Sequence, residues 1–188
     1  MGAEILAEPT AASSDPIEPL IRAGDFRGAT ALSARMHGAA IGRLCMGFLG
    51  TQADAEEATQ ETLIAAMDAM ASFRGDGSVR SWLFGIARRV CARRVETRVR
   101  REAKLRLIRG EEASSPEGEV LLAARRRAER LRAALEELKP SERDAVLLRF
   151  QSDLSFRDVA TACGIDEAAA RKRVSRAIAR LREVLGEE

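Results

Sequence analysis

Apolar residues along most of this chain recur at steps of three and four, the spacing of one face of an α-helix. The pattern is clearest at Leu83, Ile86 and Val90, and again at Ala170, Val174, Ala177 and Leu181. No stretch shows the strict alternation of a half-buried strand. We therefore predict an all-α fold, with one or two helices over 20–49 and further helices over about 54–72, 79–107, 119–138, 141–151, 155–162 and 166–185.

Polar breaks in this pattern predict the domain organisation. Residues 110–118 read GEEASSPEG, a composition typical of a linker. Residues 1–19 contain three prolines among Ala, Ser and Glu, which favours a flexible tail. We therefore expect a tail over 1–19, a helical domain over 20–108, a flexible acidic linker over 109–128 and a second small helical domain over 129–188.

The second domain carries a candidate helix-turn-helix. Ser155 and Asp158 form a capping-box pattern, Gly164 can adopt the left-handed conformation that ends a helix, and Asp166 can cap the next one. The second helix then presents a basic outer face, as a helix that enters the DNA major groove does. The alternative is an ordinary helical hairpin with a solvated basic face.

Other local signals are weaker but specific. Ser141 with Asp144 predicts another capping box, and Thr51 or Asp54 can cap the helix that follows Gly50. Two glycines around Asp76 predict a loop over 73–78. Inward-facing positions are expected at Leu20, Ile21, Phe26, Leu32, Met36, Ile41, Leu44, Cys45, Phe48, Leu49, Ala55, Ala58, Thr62, Ile64, Ala65, Met67, Met70, Trp82, Leu83, Ile86, Val90, Val95, Val99, Val159, Ala160 and Cys163.

Charge is strongly partitioned, although the 188-residue chain has a net charge of only +2. Residues 1–72 hold 4 basic and 10 acidic side chains, whereas residues 73–110 hold 12 basic and 3 acidic ones. A basic block of this density is typical of a phosphate-binding surface. The acidic block before it is better suited to a basic protein partner.

Composition narrows the class of protein. Aromatic residues are only 4% of the chain, and no apolar run is long enough to span a membrane, so we expect a cytoplasmic protein without a signal sequence. Cys45, Cys91 and Cys163 are far apart in apolar surroundings, which favours reduced core thiols. With His37 as the one histidine, we expect no metal site and no cofactor.

Two sets of motifs now indicate a family. Three segments resemble region 2 of the sigma-70 family: residues 54–63 (DAEEATQETL), 73–75 (FRG) and 80–88 (RSWLFGIAR). Residues 138–150 (LKPSERDAVLLRF), followed by the helix-turn-helix, resemble region 4. The resemblance covers about residues 20–186, with no room for region 3 and nothing like region 1.1. It is closest to the extracytoplasmic-function (group 4) sigma factors.

The resemblance implies a non-enzymatic transcription initiation factor that binds core RNA polymerase and promoter DNA, double-stranded at the minus-35 element and melted at the minus-10 element. It also implies control by an anti-sigma factor, which nothing in the sequence identifies. The acidic helix of region 2 is implied to dock on the polymerase. The matching residues here are Asp54, Glu56, Glu57, Gln60 and Glu61.

The minus-10 element would be read by the loop and the helix that follow. In the family this loop captures a base flipped from the non-template strand, and the next helix holds phosphates. The matching residues are Phe73, Arg74, Gly75, Asp76, Gly77, Ser78, Arg80, Trp82, Arg88, Arg89, Arg93 and Arg94. Trp82 could stack on a base, but its apolar neighbours favour core packing. Arg89 and Arg93 stand where many relatives have Asn and Asp, which puts the usual minus-10 preference in doubt.

The minus-35 element would be read by the second helix of the helix-turn-helix, with support from the first. The matching residues are Phe156, Arg157, Ala168, Ala169, Arg171, Lys172, Arg173, Ser175 and Arg176. The first turn of that helix is acidic and alanine-rich, unlike the Ser/Thr/Gly mixture of many relatives. The acidic linker could mimic nucleic acid in a polymerase channel or act as a plain tether.

Two other classes of protein would share part of this pattern. A conventional helix-turn-helix regulator would share the second domain but has no need of the region 2 motifs or the basic block. A magnesium-dependent enzyme acting on nucleic acid would need converging carboxylates. Asp54, Glu57 and Glu61 lie on one predicted helix with no second cluster placed to join them.

Overall fold

A computed structural model describes residues 15–106 and 119–186, and this part of the chain is helical without a strand. The predicted all-α class is therefore confirmed. The helices are α1 (Glu18–Arg22), α2 (Phe26–Leu49), α3 (Gln52–Ala69), a 3₁₀ turn (Met70–Ser72), α4 (Val79–Arg106), α5 (Glu119–Glu136), α6 (Pro140–Phe150), α7 (Phe156–Cys163) and α8 (Glu167–Leu185). The described residues leave out 1–14, which are most of the predicted tail, and 107–118, which include residues 109–118 of the predicted linker.

The N-terminal module consists of α1 to α4. Asp25 caps α2 by accepting a hydrogen bond from the Gly28 amide at 2.9 Å, and Thr51 caps α3 in the same way through the Asp54 amide. Gly50 ends α2 with a φ of 81°, in the left-handed region that favours glycine. Ile17 is fully buried, so the residues just before α1 pack into the core instead of joining a tail.

Small residues let the helices of this module pack closely. Ala55 and Ala58 of α3 are buried against α2, which contributes Ile41, Leu44 and Phe48 to the core. Leu83, Phe84 and Val90 bring α4 into the same core. Three predicted core positions are wrong, because Met36, Ile64 and Val99 are 48%, 58% and 55% exposed. Each lies at the edge of its helix's apolar stripe, where the pattern alone does not show which edge the neighbouring helices cover.

The C-terminal module consists of α5 to α8 and contains the predicted helix-turn-helix. The Ser155 side chain caps α7, Gly164 ends it with a φ of 67°, and Asp166 caps α8 through the Ala169 amide at 2.7 Å. All three signals are confirmed. The capping box at Ser141 is wrong, because Lys139 occupies the N-cap position and Pro140 begins α6. Asp144 points away from that helix end and instead pairs with an arginine of α4.

The two modules lie against each other. Helix α7 packs along α4, and α6 packs against α2, so that one continuous hydrophobic core runs through both modules. The sequence pattern did not predict this contact, because it predicts which face of a helix is apolar but not which distant helix covers it. Helix α5 begins at Glu119, so residues 119–128 of the predicted linker are helical.

The cysteine thiols are free, as predicted. Cys45 of α2 and Cys91 of α4 are buried in the core, and the neighbouring Cys45 thiol together with burial raises the pKa of Cys91. Burial also raises the pKa of Cys163. Within the described ranges, no helix is long and apolar enough to cross a membrane, and no acidic, His or Cys side chains cluster as metal ligands would.

Candidate nucleic-acid and polymerase interfaces

The acidic residues predicted on α3 share one helix but divide between two of its sides. Glu56 and Gln60 are exposed and line a shallow groove with the small residues of α2, among them Gly38 and Gly42. Glu57 and Glu61 lie on the side that faces α4. Asp54 belongs to the helix cap, where its carboxylate accepts a hydrogen bond from the Thr51 hydroxyl at 2.6 Å. The five residues are therefore not equivalent, since only part of the set points freely outward.

Ion pairs connect the acidic helix to the basic one. Arg94 bonds both Glu61, at 2.9 Å, and Glu57, at 3.1 Å, while Arg93 bonds Glu61 at 3.2 Å. The two carboxylates raise the pKa of Arg94. Pairs this exposed contribute about 0–1 kcal/mol each to stability. Their main effect is positional, because they hold the acidic face of α3 beside the basic face of α4.

The predicted loop before α4 is confirmed, and Gly75 within it has a φ of 75°. Arg74 and Asp76 are exposed, whereas Phe73 is half-buried with its ring edge-on to Trp82, at 5.3 Å between ring centres. Trp82 is itself half-buried against the hydrophobic core. Its packing supports the core interpretation over the stacking wedge, while Arg74 and Asp76 remain available to a ligand.

The arginines of α4 point in two directions. Arg89 and Arg93 are exposed, and partial desolvation together with the charges of Arg88 and Arg93 lowers the pKa of Arg89. The lowered pKa indicates that the surface around Arg89 is locally electropositive. Arg80 and Arg88 instead turn towards the C-terminal module, where they bond its backbone and a carboxylate.

The pair formed by Arg88 and Asp144 joins the two modules. Arg88 Nη1 lies 2.9 Å from Asp144 Oδ2, and both side chains are largely buried. Burial raises the pKa of Asp144, and the Arg88 guanidinium offsets part of that rise. Breaking a buried pair by removing one partner leaves an uncompensated charge, which costs about 3–5 kcal/mol when burial is complete.

The basic face of α8 points to solvent. Arg171, Lys172, Ser175 and Arg176 are exposed, as are Ala168 in the first turn and Arg157 on α7, whereas Ala169, Arg173 and Phe156 are half-buried. Arg171 is held from two sides, by an ion pair with Glu167 one turn earlier and by the Phe156 ring, whose centre lies 4.4 Å from its guanidinium carbon. Arg149 approaches the same ring from α6 at 5.3 Å.

Several functional contacts were not predicted from the sequence. Glu167 was recognised only as part of an acidic first turn, yet its four-residue spacing from Arg171 is a visible signal for the ion pair. The sequence pattern predicts helix caps for Asp144 and Asp158. Asp144 instead accepts a hydrogen bond from Arg88 of α4, whereas Asp158 keeps its place in the cap and also accepts one from Ser78 in the loop before α4. No sequence signal could have indicated those two, because their partners lie far away in the chain.

Both modules match models of known protein families. The model described as "Sigma-70 region 2" matches residues 34–103, and the one described as "Sigma-70, region 4" matches residues 128–181. The ECF RNA polymerase sigma factor SigM of Mycobacterium tuberculosis is 31% identical over 157 residues, which cover 81% of this chain and 74% of that protein. The chain belongs to the sigma-70 family, among its ECF sigma factors. The predicted resemblance is thereby confirmed.

Two other relatives of this chain are also named ECF RNA polymerase sigma factors. ECF RNA polymerase sigma factor EcfG of Rhodopseudomonas palustris is 31% identical over 131 residues, which cover 70% of this chain and 71% of that protein. SigG of Mycobacterium tuberculosis is 30% identical over 165 residues, covering 74% of this chain. The chain spans only 44% of the length of SigG.

Solved structures support the fold. The sigma factor RpoE of Bartonella quintana, in complex with the anti-sigma factor NepR, superimposes with a TM-score of 0.62 at 26% identity, over 84% of this chain and 97% of that one. CnrH, in complex with the cytosolic domain of CnrY, superimposes with a TM-score of 0.64 at 23% identity, over 92% of this chain and 99% of that one. The two-module helical architecture is thus shared with sigma factors.

Proposed function

We propose that this chain is a cytoplasmic transcription initiation factor without catalytic activity of its own, which binds core RNA polymerase and directs it to promoters. The observation that carries the proposal is that sigma-70 regions 2 and 4 occur in order on one chain. The outward basic face of α8 and the exposed arginines of α4 agree with it, since DNA binding needs cations on both modules.

In this proposal α3 docks on the polymerase. Glu56 and Gln60 make the direct contacts, because they are exposed beside a groove whose floor is formed by small residues of α2. Glu57 and Glu61 contribute after exchanging their arginine partners for cations of the polymerase. An acidic, amide-bearing surface is complementary to a basic helical partner.

The minus-10 element is proposed to bind the loop over 73–78 and the exposed side of α4. Gly75 allows a base to approach the backbone closely, and Asp76 is free to bond a base edge. Arg89 and Arg93 would hold phosphates of the melted strand. Trp82 is proposed to position Phe73 through their ring contact, not to stack on DNA.

The minus-35 element is proposed to lie along α8 in the major groove. Arg171 and Lys172 face solvent near the start of the helix, where side chains of a recognition helix reach base edges. The Phe156 ring holds the Arg171 guanidinium in place, which prepares it for a bidentate contact to guanine. Arg157 would contact the phosphate backbone.

An anti-sigma partner is also proposed, and one groove offers it a binding surface. Helices α2, α5, α6 and α8 enclose an apolar groove of about 500 Å³ that contains Phe150 and Leu131, which are 63% and 44% exposed. Arg132 and Arg182 lie on its lining. An amphipathic helix with an acidic border matches this surface in both apolar area and charge. Similarity to the sigma factor RpoE of Bartonella quintana, which was solved with the anti-sigma factor NepR, supports this class of partner.

Run-off transcription with purified bacterial core polymerase tests the proposed function directly. Fragmented DNA of the source genome is transcribed with and without the protein, and the new transcripts are mapped. We expect defined start sites that share sequence elements about 10 and 35 base pairs upstream. No new start sites, combined with tight binding of duplex DNA by the protein alone, would instead indicate a conventional helix-turn-helix regulator.

A further inference from the structure

The ring of Phe156, the first residue of α7, is contacted by arginines from the two other helices beside it. The guanidinium carbon of Arg171, on α8, lies 4.4 Å from the ring centre, and that of Arg149, on α6, lies 5.3 Å from it. A guanidinium within about 6 Å of a ring centre is attracted by the electrons of the ring face. The ring therefore couples a cation of α6 to the cation that the proposed function places against the minus-35 element.

Arg149 is the fixed member of this group. Its Nη1 donates to the carbonyl oxygen of Leu154 at 3.2 Å and to Asp153 Oδ1 at 3.4 Å, so it closes the turn between α6 and α7. Leu154 is fully buried and its own amide bonds back to the Leu148 carbonyl, which gives Arg149 a rigid acceptor. The Arg149 side chain is 31% exposed, against 59% for Arg171. The position of Arg149 is thus set by the turn and the core of region 4.

Arg171 has the opposite character. It projects into solvent near the start of α8, and its ion pair is with Glu167 on the same helix. A bidentate contact to guanine needs the guanidinium plane to match the edge of the base, and a freely rotating side chain loses rotamer freedom when it adopts that orientation. A ring that is itself held in place reduces this loss, because it limits the orientations open to Arg171 before DNA binds.

We propose that Arg149 is a positioning residue for promoter recognition: by holding the Phe156 ring, it orients Arg171 for guanine at the minus-35 element. The inference rests on the proposed function, which assigns Arg171 to that duplex. Arg149 acts through the ring and not on the DNA, since its Nη1 is already bonded to the turn within region 4. Its replacement therefore changes which sequence is preferred and leaves the number of phosphate contacts unchanged.

Two substitutions separate this role from a direct phosphate contact by Arg149. Arg149→Lys keeps the positive charge but loses the planar guanidinium, whereas Arg149→Gln loses both. A positioning role predicts that both variants lose sequence preference to a similar extent. A phosphate contact predicts instead that only Arg149→Gln weakens binding, equally on every duplex and with a salt dependence shallower by about 0.9. Phe156→Leu removes the ring but keeps an apolar side chain, and the matched control is Arg180→Lys, which alters an arginine of α8 paired with Glu183.

The first measurement uses holoenzyme reconstituted with core polymerase and a labelled duplex that carries the minus-35 element of one run-off start site. Each guanine is replaced in turn by 7-deazaguanine, which lacks the N7 acceptor, and affinities are measured by anisotropy over a series of salt concentrations. The guanine read by Arg171 is the one whose replacement weakens binding of the parent but not of Arg171→Ala.

At that guanine we expect the parent and Arg180→Lys to lose about five- to tenfold in affinity, and the Arg149 and Phe156 variants to lose less than about twofold. The salt dependence should be the same in all of them. An undiminished loss in Arg149→Lys would overturn the proposal, as would a weakening confined to Arg149→Gln or the absence of any guanine that depends on Arg171.

The second measurement uses the full chain without polymerase or DNA. The Nε–H resonance of Arg171, assigned by its absence in Arg171→Lys, reports the ring contact, because the face of an aromatic ring shifts a nearby proton to higher field. We expect this shift in the parent and in Arg180→Lys, and its loss in Phe156→Leu and in both Arg149 variants. A shift that persists in the Arg149 variants would contradict the positioning role.

Circular dichroism checks folding, and the Arg149 variants decide the result if Phe156→Leu does not fold. The resonance and run-off transcription together separate the two proposals. If the protein yields no start sites while the Arg171 resonance depends on Arg149, the proposed function fails and the positioning of Arg171 stands. Start sites without that dependence give the reverse result.

Discussion

Glu167 lies where it can weaken the DNA contact of Arg171, the best-positioned cation on α8. Its carboxylate bonds both Nε and Nη2 of that guanidinium, one helical turn away. Glu167 is also the first residue of α8, where an anion stabilises the helix dipole. Replacing it with glutamine should therefore affect folding and DNA binding in opposite directions.

The magnitudes follow from the geometry. Loss of an exposed pair at this spacing costs about 0.3–0.5 kcal/mol of folding free energy, and loss of the dipole interaction costs about 0.3–1 kcal/mol more. For DNA the same change releases a guanidinium and removes an anion near the phosphates. A gain of about 0.4–1 kcal/mol corresponds to binding of the minus-35 duplex that is about two- to fivefold tighter. One additional phosphate contact would steepen the dependence of log affinity on log salt by about 0.9.

The assay measures anisotropy of a labelled minus-35 duplex with reconstituted holoenzyme, over a series of salt concentrations. Glu183→Gln is the matched control, because it breaks a similar pair with Arg180 on the same helix, about 24 Å further along the axis. We expect tighter binding and a steeper salt dependence for Glu167→Gln alone. Equal affinities and slopes for the two variants would show that Arg171 does not contact the duplex.

Three further outcomes are expected. Gly164→Ala should lower the free energy of unfolding by about 1–2 kcal/mol in urea, because the φ of 67° at this position strains any residue with a Cβ atom. Gly38→Ala, within α2, should instead raise the free energy of unfolding by about 0.5–1 kcal/mol. Equal effects of the two substitutions would contradict this reasoning. Gln60→Ala should weaken binding to core polymerase without changing promoter choice, whereas Asp68→Ala on the same helix should change neither. A pull-down measures the binding, and run-off mapping measures the promoter choice. The cysteine thiols should react with a disulfide reagent far more slowly in the native chain than in guanidinium. Cys45 and Cys91 are buried, and burial raises the pKa of Cys163. A rapid reaction in the native chain would show that the core is open to the reagent.

Much of the helical framework was predictable because its signals are local. The caps at Thr51, Ser155 and Asp166 each join residues three positions apart, and Gly164 ends its helix through its own backbone freedom. The start of α4 follows from apolar spacing after the glycine-containing loop, and the bounds of α8 follow from apolar spacing together with the Asp166 cap. The family resemblance has the same origin, since its motifs lie on single helices or the loops beside them.

The tertiary structure alone decided which side chains act together. Asp144 has the correct spacing for a cap with Ser141, yet it pairs with Arg88, 56 positions away, and Asp158 both supports its own helix start and meets Ser78, 80 positions away. Ile64 fits an apolar stripe but faces solvent. Local pattern determines the helix and its apolar face, because those energies act within one turn. Which distant surface covers that face depends on long-range packing, and here that packing brings α7 onto α4 and α6 onto α2.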